Sequence, residues 1–396
     1  MRVYADNAAT TAMSQVAIDA MLPHFNQVYG NPSSLHSVGQ AAKEALDAAR
    51  ATVAQCLGCE PREIIFTSGG SEADNQAIIS AARIGERKGK KHIISTAFEH
   101  HAVGHTLARL EKEGFEVTYL DVREGHNVTA QQVKDAIRED TCLVTVMYAN
   151  NEIGSVLPIA EIGAVCKAAG VLFHTDAVQA VGHLHINVKE QNIDMLSLSG
   201  HKFHGPKGTG ALYVRRGIAL TNVIEGGGQE RGKRAGTENI AGIVGMAAAM
   251  KDACENIDNN MPRVQAMRDR LIAGLQERVP HCALNGDPVN RLPGNVNFCF
   301  EAIEGESLLL LLDAKGISAS SGSACTSGSL DPSHVLLAIG REHEVAHGSL
   351  RLSLCEYNTE EEVDYMLEAV PEVVAQLRAM SPVWRDLQNG KRQYVL

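Results

Sequence analysis

The chain has no apolar run long enough to cross a membrane, no charged leader followed by an apolar stretch, and no basic tract. A helical membrane span needs about 20 apolar residues and a secretory leader a basic start before its apolar core. With neither in view, the expectation is a soluble cytoplasmic protein with no membrane partner. The formal net charge of -11 is not offset by any Lys/Arg cluster, which argues against nucleic acid as a partner, since phosphate binding needs clustered cations. Repeats, low-complexity tracts and obvious linkers are missing too. The nine cysteines are an odd number scattered through the chain, a pattern of reduced thiols rather than of a disulfide framework. Cys56 and Cys59 form a Cys-x-x-Cys pair, but no second pair or nearby histidine completes a zinc site. They read as small apolar residues at a helix end.

What is present is a regular alternation of strand and helix. At 396 residues, two domains or one large domain with a satellite is expected. Short β-branched runs at 63–67, 92–96, 116–120, 142–148, 171–175, 194–198 and 211–214 read as strands. Helical periodicity fills 71–88, 102–114, 129–138, 159–169 and 239–256. Such alternation predicts a mainly parallel sheet covered on both faces, with ligands beyond the carboxyl ends of the strands. From about Asn260 the pattern is helix, short strands, helix, strand and a final helix at 359–380, read as a smaller α+β domain. The expected division is a large domain over 12–258, and a small one made of 1–11 and 259–396.

Polar groups collect at the predicted strand ends. Gly69, Gly70 and Ser71 lie between strand and helix, where backbone N–H groups and a hydroxyl form an anion cradle or an ordinary capping turn. Asp176 ends a strand, where a carboxylate can keep a pyridine nitrogen protonated or simply face solvent in a turn. His100 follows another strand and could stack on a flat ring or be polar filler. Either Asn150 or Asn151 could bond a ring hydroxyl. Lys202 sits between His201 and His204 after an apolar run and before glycines, as a nucleophilic amine or a loop lysine. Burial and cationic neighbours would make such an amine a Schiff-base former. Arg351 lies among alternating apolar residues, where its planar fork suits a carboxylate ligand or a structural ion pair. Cys325 lies in Ser320-Ser-Gly-Ser-Ala-Cys-Thr-Ser-Gly-Ser, small and polar enough to predict an exposed, mobile loop, about 320–332, with a reactive thiol.

In order along nearly the whole chain, Asp6-Asn-Ala-Ala-Thr-Thr, Gly30-Asn-Pro-Ser-Ser, Thr67-Ser-Gly-Gly-Ser-Glu, Glu99-His-His-Ala-Val, Asn150-Asn-Glu-Ile-Gly, Asp176-Ala-Val-Gln, Ser199-Gly-His-Lys, Arg234-Ala-Gly-Thr, Ser320 to Ser327 and Arg351 resemble the motifs of the NifS/IscS-type cysteine desulfurases. The resemblance implies an α/β fold of the fold-type I class, with a seven-stranded sheet and pyridoxal phosphate as cofactor. It implies that Lys202 carries the cofactor as a Schiff base and then acts as base, that Asp176 pairs with the pyridinium nitrogen, and that His100 stacks on the ring and shuttles a proton. Gln179 and Asn151 would bond the phenolic oxygen and its surroundings, while Gly70, Ser71, Ser199 and His201 would hold the phosphate. Thr237 would reach the phosphate of a partner subunit in a homodimer with shared sites.

Arg351, with Asn151, would bind the carboxylate of L-cysteine. Cys325 would take the substrate's sulfur as a persulfide, leave alanine, and deliver the sulfur to an iron–sulfur scaffold or another acceptor protein for cluster assembly, nitrogenase included. No resident metal is implied, and Cys325 is at most a transient ligand to an iron–sulfur cluster. The wording of Asp176–Gly182 and Arg234–Asn239, and a C-terminus without the longer tail of the IscS branch, lean toward NifS. Glu356 departs from the family, which often has a basic residue there. A selenocysteine lyase, another class-V aminotransferase, or a silent scaffold are the alternatives.

Overall fold

The computed structural model describes residues 1–321 and 332–396; Cys325 lies outside the described residues. Strand β1 (Val3–Tyr4) opens the chain, followed by β2 (Ile64–Thr67), β3 (His92–Thr96), β4 (Glu116–Leu120), β5 (Thr141–Thr145), β6 (Leu172–Asp176), β7 (Met195–Ser199) and β8 (Gly210–Val214). The last seven form one sheet in the order β2-β8-β7-β6-β5-β3-β4. Only β8 runs antiparallel to its neighbours. Strands buried on both faces read as continuous apolar runs, and β3, β5 and β7 are buried at every position. Because β2 and β7 both oppose β8, the carboxyl ends of β2, β3, β5, β6 and β7 emerge on one side.

The helices between these strands place the loops above that side. Gly70–Glu86 follows β2 directly. Helix His101–Lys112 is N-capped by His100, whose Nδ1 accepts from Ala102 N at 3.1 Å. Helices Ile159–Ala169 and Ile240–Glu255 also match the expected segments.

The rest of the chain contributes β9 (Cys282–Leu284), β10 (Asn295–Phe300), β11 (Ile317–Ser318) and β12 (Ser349–Ser353). Strands β12-β10-β9 form an antiparallel sheet, and β1 pairs with β11 in parallel. A core of its own joins Val3 and Ala5 to Met261, Leu271, Phe298, Leu352, Val370 and Val374. Contrary to the expectation of a final helix at 359–380, the helix Glu360–Met380 is not the last. A further one, Pro382–Gln388, starts where Ser381 caps Trp384 N and Pro382 takes the first helical turn, a position that needs no donor.

Candidate functional site

Beyond the carboxyl ends of the parallel strands lies a cavity of about 390 Å³ lined by Gly70, Ser71, His100, Asn151, Asp176, Gln179, Ser199, His201, Lys202 and Arg351. Ten residues from six separate segments of sequence thus meet around one space. A volume of several hundred Å³ is the usual size of a cofactor or substrate site.

Lys202 ends a short 3-10 turn, Gly200–Lys202, at the end of β7. Its Nζ donates to the carbonyls of Ala8 and Ala9 at 2.6 and 2.8 Å. Gln179 Nε2 donates to the same Ala8 carbonyl at 3.0 Å. The N-terminal segment thereby forms one wall. His201 joins it, its Nδ1 3.1 Å from Thr10 Oγ1. Burial, helped by Lys202 and Lys207, lowers the His201 pKa to about 4, so at neutral pH this ring is an uncharged hydrogen-bonding group. Of the two histidines flanking Lys202, His201 is therefore not the cationic neighbour the sequence pattern led one to expect.

Asp176 ends β6, is 5 % exposed, and accepts a hydrogen bond from Val178 N at 2.9 Å. Burial raises its pKa against the pull of His100 and Lys202. A desolvated carboxylate is costly without a cation beside it. Asp74, 1 % exposed, stands close behind, and donor atoms of Asp74, His100 and Asp176 lie within 4.8 Å of one another. A protonated pyridine nitrogen would suit that pocket: it adds a positive charge and a donor beside two buried carboxyls. At the other end, Gly70 and Ser71 open the helix Gly70–Glu86 and line the cavity together with Ser199; the unbonded N–H groups of a helix start beside two hydroxyls suit a phosphate. Gly69 holds φ +157°, and a Cβ on Gly70 would come within 2.5 Å of Val178 Cγ2. Gly70 leaves no room for a side chain, whereas at Gly69 the constraint is the backbone angle, since a Cβ there would meet only Ser199 Oγ at 3.6 Å.

On the substrate side, Arg351 is 1 % exposed. Its guanidinium donates to the Asn151 carbonyl at 2.9 Å and to Asp6 Oδ1 at 3.0 Å. The two neighbouring asparagines divide their labour. Asn150 is spent on structure, donating to Phe98 O and accepting from Glu152 N and Ile153 N, which leaves Asn151 to line the cavity. Thr237 is exposed and is not among the residues that line it.

Several groups escaped the sequence reading. Asp74 could have been seen as the one acid on the buried helical face Ala73, Asp74, Ala77, Ile78. Glu99 Oε1 accepts from Thr96 Oγ1 at 2.6 Å and Met147 N at 3.0 Å; burial raises its pKa to about 8. Glu152, buried and hydrogen-bonded by Ser333, His101 and His334, whose rings lie 4.7 Å apart, also line the cavity; no local pattern marks them.

The class-V aminotransferase profile matches residues 3–366. A cysteine desulfurase IscS of Clostridium botulinum is 55 % identical over 394 residues, 99 % of each chain. Another, of Methanosarcina thermophila, is 55 % identical over 381 residues, covering 96 % of this chain and 94 % of that one. Among solved structures, a NifS-like protein superposes with a TM-score of 0.89 at 38 % identity, over 95 % of this chain and all of the other. A strand-end cavity with a lysine, a buried aspartate and an inward arginine, together with this identity over the full length, means that the chain belongs to the class-V aminotransferase family and, within it, to the cysteine desulfurases.

Proposed function

We infer that this cavity removes sulfur from L-cysteine with pyridoxal phosphate as cofactor, yielding L-alanine and a persulfide on Cys325. The observation that carries the assignment of roles is the convergence of Lys202, Asp176 and Arg351 on one cavity. Lys202 would attach the cofactor covalently, Asp176 would face its ring nitrogen, His100 its ring, and Gly70, Ser71, Ser199 and His201 its phosphate, with Gln179 and Asn151 near the phenolic oxygen. When bound, the cofactor supplies an electron sink for charge that develops at the substrate's α-carbon.

The protein's residues do the rest. Arg351 holds the substrate carboxylate in a bidentate pair, with Asp6 left as its second counter-ion. Lys202, once free, takes the α-proton, a step for which an uncharged His201 beside it adds no competing cation. His100 accepts through Nδ1 from the helix N–H, so in its neutral form the proton sits on Nε2, available for transfer. Sulfur passes to the Cys325 thiolate: the substrate's C–S bond breaks and an S–S bond forms, the sulfur keeping its own proton; one proton then completes the methyl group of alanine, and the proton that Lys202 took returns to the α-carbon.

Thr237 reaching the phosphate of a second subunit accounts for its exposure outside the cavity, and exposed Leu22, Phe25, Tyr29 and Leu35 offer an apolar surface to cover in a homodimer. No described helix is long and apolar enough to span a membrane, in keeping with a cytoplasmic enzyme that hands sulfur to an iron–sulfur scaffold or another acceptor. The separate core around Val3, Phe298 and Leu352 supports the division into 12–258 and 1–11 with 259–396. The relatives' names span the IscS and NifS branches, and the NifS-like phrases around Asp176 and Arg234 favour the second. The test is to incubate the protein with L-cysteine and measure alanine, sulfide with reductant, and one added sulfur on Cys325 by mass spectrometry without it. Alanine formation with no sulfur on Cys325 defeats the proposed role of that residue.

A further inference from the structure

Two residues past Lys202 the chain turns through His204, which is held in the left-handed region at φ +62° and is 4 % exposed. Its ring does not line the cavity. It faces the residues after β12, where Cys355 is buried and the Glu356 side chain is 16 % exposed. One donor atom from each of His204, Cys355 and Glu356 lies within 4.8 Å of the other two. His183 and Tyr357 bear on the same cluster, Tyr357 edge-on with its ring 4.8 Å from that of His204.

The histidine is oriented as a ligand. Nδ1 lies 2.9 Å from the Ala12 carbonyl, so Nδ1 carries a proton and donates, the outer partner that metal-binding imidazoles usually have. Nε2 is buried and makes no hydrogen bond among the described residues, although Glu356 Oε2 stands 3.4 Å away. Two ligands at about 2.0–2.1 Å from one zinc ion, set at the tetrahedral angle, stand about 3.4 Å apart, which is the spacing of His204 and Glu356. Nitrogen, sulfur and one carboxylate oxygen suit zinc, whereas magnesium and calcium take oxygen alone. The competitor is a proton: burial lowers the His204 pKa, but its thiol and carboxylate neighbours lift it to about 10, so a cation has to displace it.

We propose that His204, Cys355 and Glu356 form a binding site for a zinc-class divalent cation, with water as fourth ligand. Binding exchanges the thiol proton and the Nε2 proton for the metal and changes no oxidation state. The site joins the turn that carries Lys202 to the end of the strand that carries Arg351, so the cation acts as a clamp on the relative placement of the two. It also gives Glu356 a purpose where a basic residue would repel the ion.

The test uses the holoenzyme with Cys325→Ala to remove the reactive thiol, stripped with chelator and loaded with Zn²⁺ alone or Co²⁺ alone. Expected are one zinc per chain retained through desalting, a thiolate-to-cobalt charge-transfer band, and a zinc-dependent rise of a few degrees in melting temperature. All three should vanish in added Cys355→Ser and in added Glu356→Gln, while the cofactor's visible band persists in both. None of these readouts depends on turnover. A parent protein that retains no zinc, or variants that bind it as the parent does, overturns the proposal and leaves His204 and Glu356 as an ion pair.

Discussion

Arg351 lies on β12 with its guanidinium between the Asn151 carbonyl and Asp6, placed to serve both the fold and the substrate. A lysine would keep the charge and lose the planar fork. Hydrogen bonds to charged groups contribute about 1.5–3 kcal/mol, or roughly 10–150-fold. Arg351→Lys should therefore lower kcat/KM for L-cysteine by about that factor, mainly through KM, as steady-state kinetics will show. An unchanged KM would leave Arg351 as the ion-pair partner of Asp6 alone. Glu99 gives a prediction in pH. Burial pushes its carboxyl from 4.5 up to about 8 against the bonds from Thr96 and Met147, so between those values the native state holds a proton that the unfolded chain has released. Its contribution to stability is full below pH 4.5 and disappears as pH rises through 8, by at most about 1.4 kcal/mol for each unit crossed. Thermal unfolding of Glu99→Gln between pH 5 and 8.5 should be flatter than that of the parent; parallel curves would mean that Glu99 is ionised in the native state. Residues like Lys202 and Asp176 were legible because each ends an apolar run, where a charge is conspicuous. Glu99 was not, because its partner Met147 arrives from 48 residues away in sequence.

At the scale of elements, the expected and observed bounds coincide in β3, buried on both faces, and in β4, which is not. The run at 142–148 overshot β5, which ends at Thr145. Tyr148 N still bonds Asp176 O at 2.8 Å, but on the other side Met147 N turns to Glu99 rather than to a strand. The pattern of apolar residues continues while the ladder does not, and a side chain from another loop is what ends it. The turn from β2 into helix Gly70–Glu86 carries its own prediction. Gly69 has φ +157° and ψ -175°, a region closed to residues with a Cβ at a cost of about 1–3 kcal/mol. Because that strain would fall on the phosphate-facing turn, Gly69→Ala should weaken pyridoxal phosphate binding by roughly 5–150-fold. Titration of the apoprotein with the cofactor, followed by its visible absorbance, measures this. A lower melting temperature with unchanged cofactor affinity would mean that the turn serves the fold only.

For the whole molecule, the decisive residue is one that the cavity does not contain. Thr237 is exposed, in a stretch that Arg234 ties to the start of helix Gly70–Glu86 through Glu72, with Nε and Oε1 2.8 Å apart. If it completes the phosphate site of a second copy, a site's lysine and its threonine come from different chains, and the two can be separated by mutation. Lys202→Ala should be inactive because its own sites lack the amine. Thr237→Asp should be inactive or nearly so, because a carboxylate beside the phosphate repels it. When the two inactive proteins are mixed, unfolded and refolded together, random pairing makes about half of the dimers mixed. In each mixed dimer one site combines Lys202 of one chain with Thr237 of the other, and the opposite site carries both defects. Activity should return to roughly a quarter of the wild-type value per chain, since half the dimers each regain one of two sites. Recovery requires that both residues serve the same site from opposite subunits; two sites each complete within one chain would yield no recovery at any mixing ratio. The assay is alanine formation from L-cysteine, with analytical ultracentrifugation confirming that the refolded material is dimeric. A monomeric wild-type protein that is fully active would remove the premise altogether, and Thr237 would then be an ordinary surface threonine.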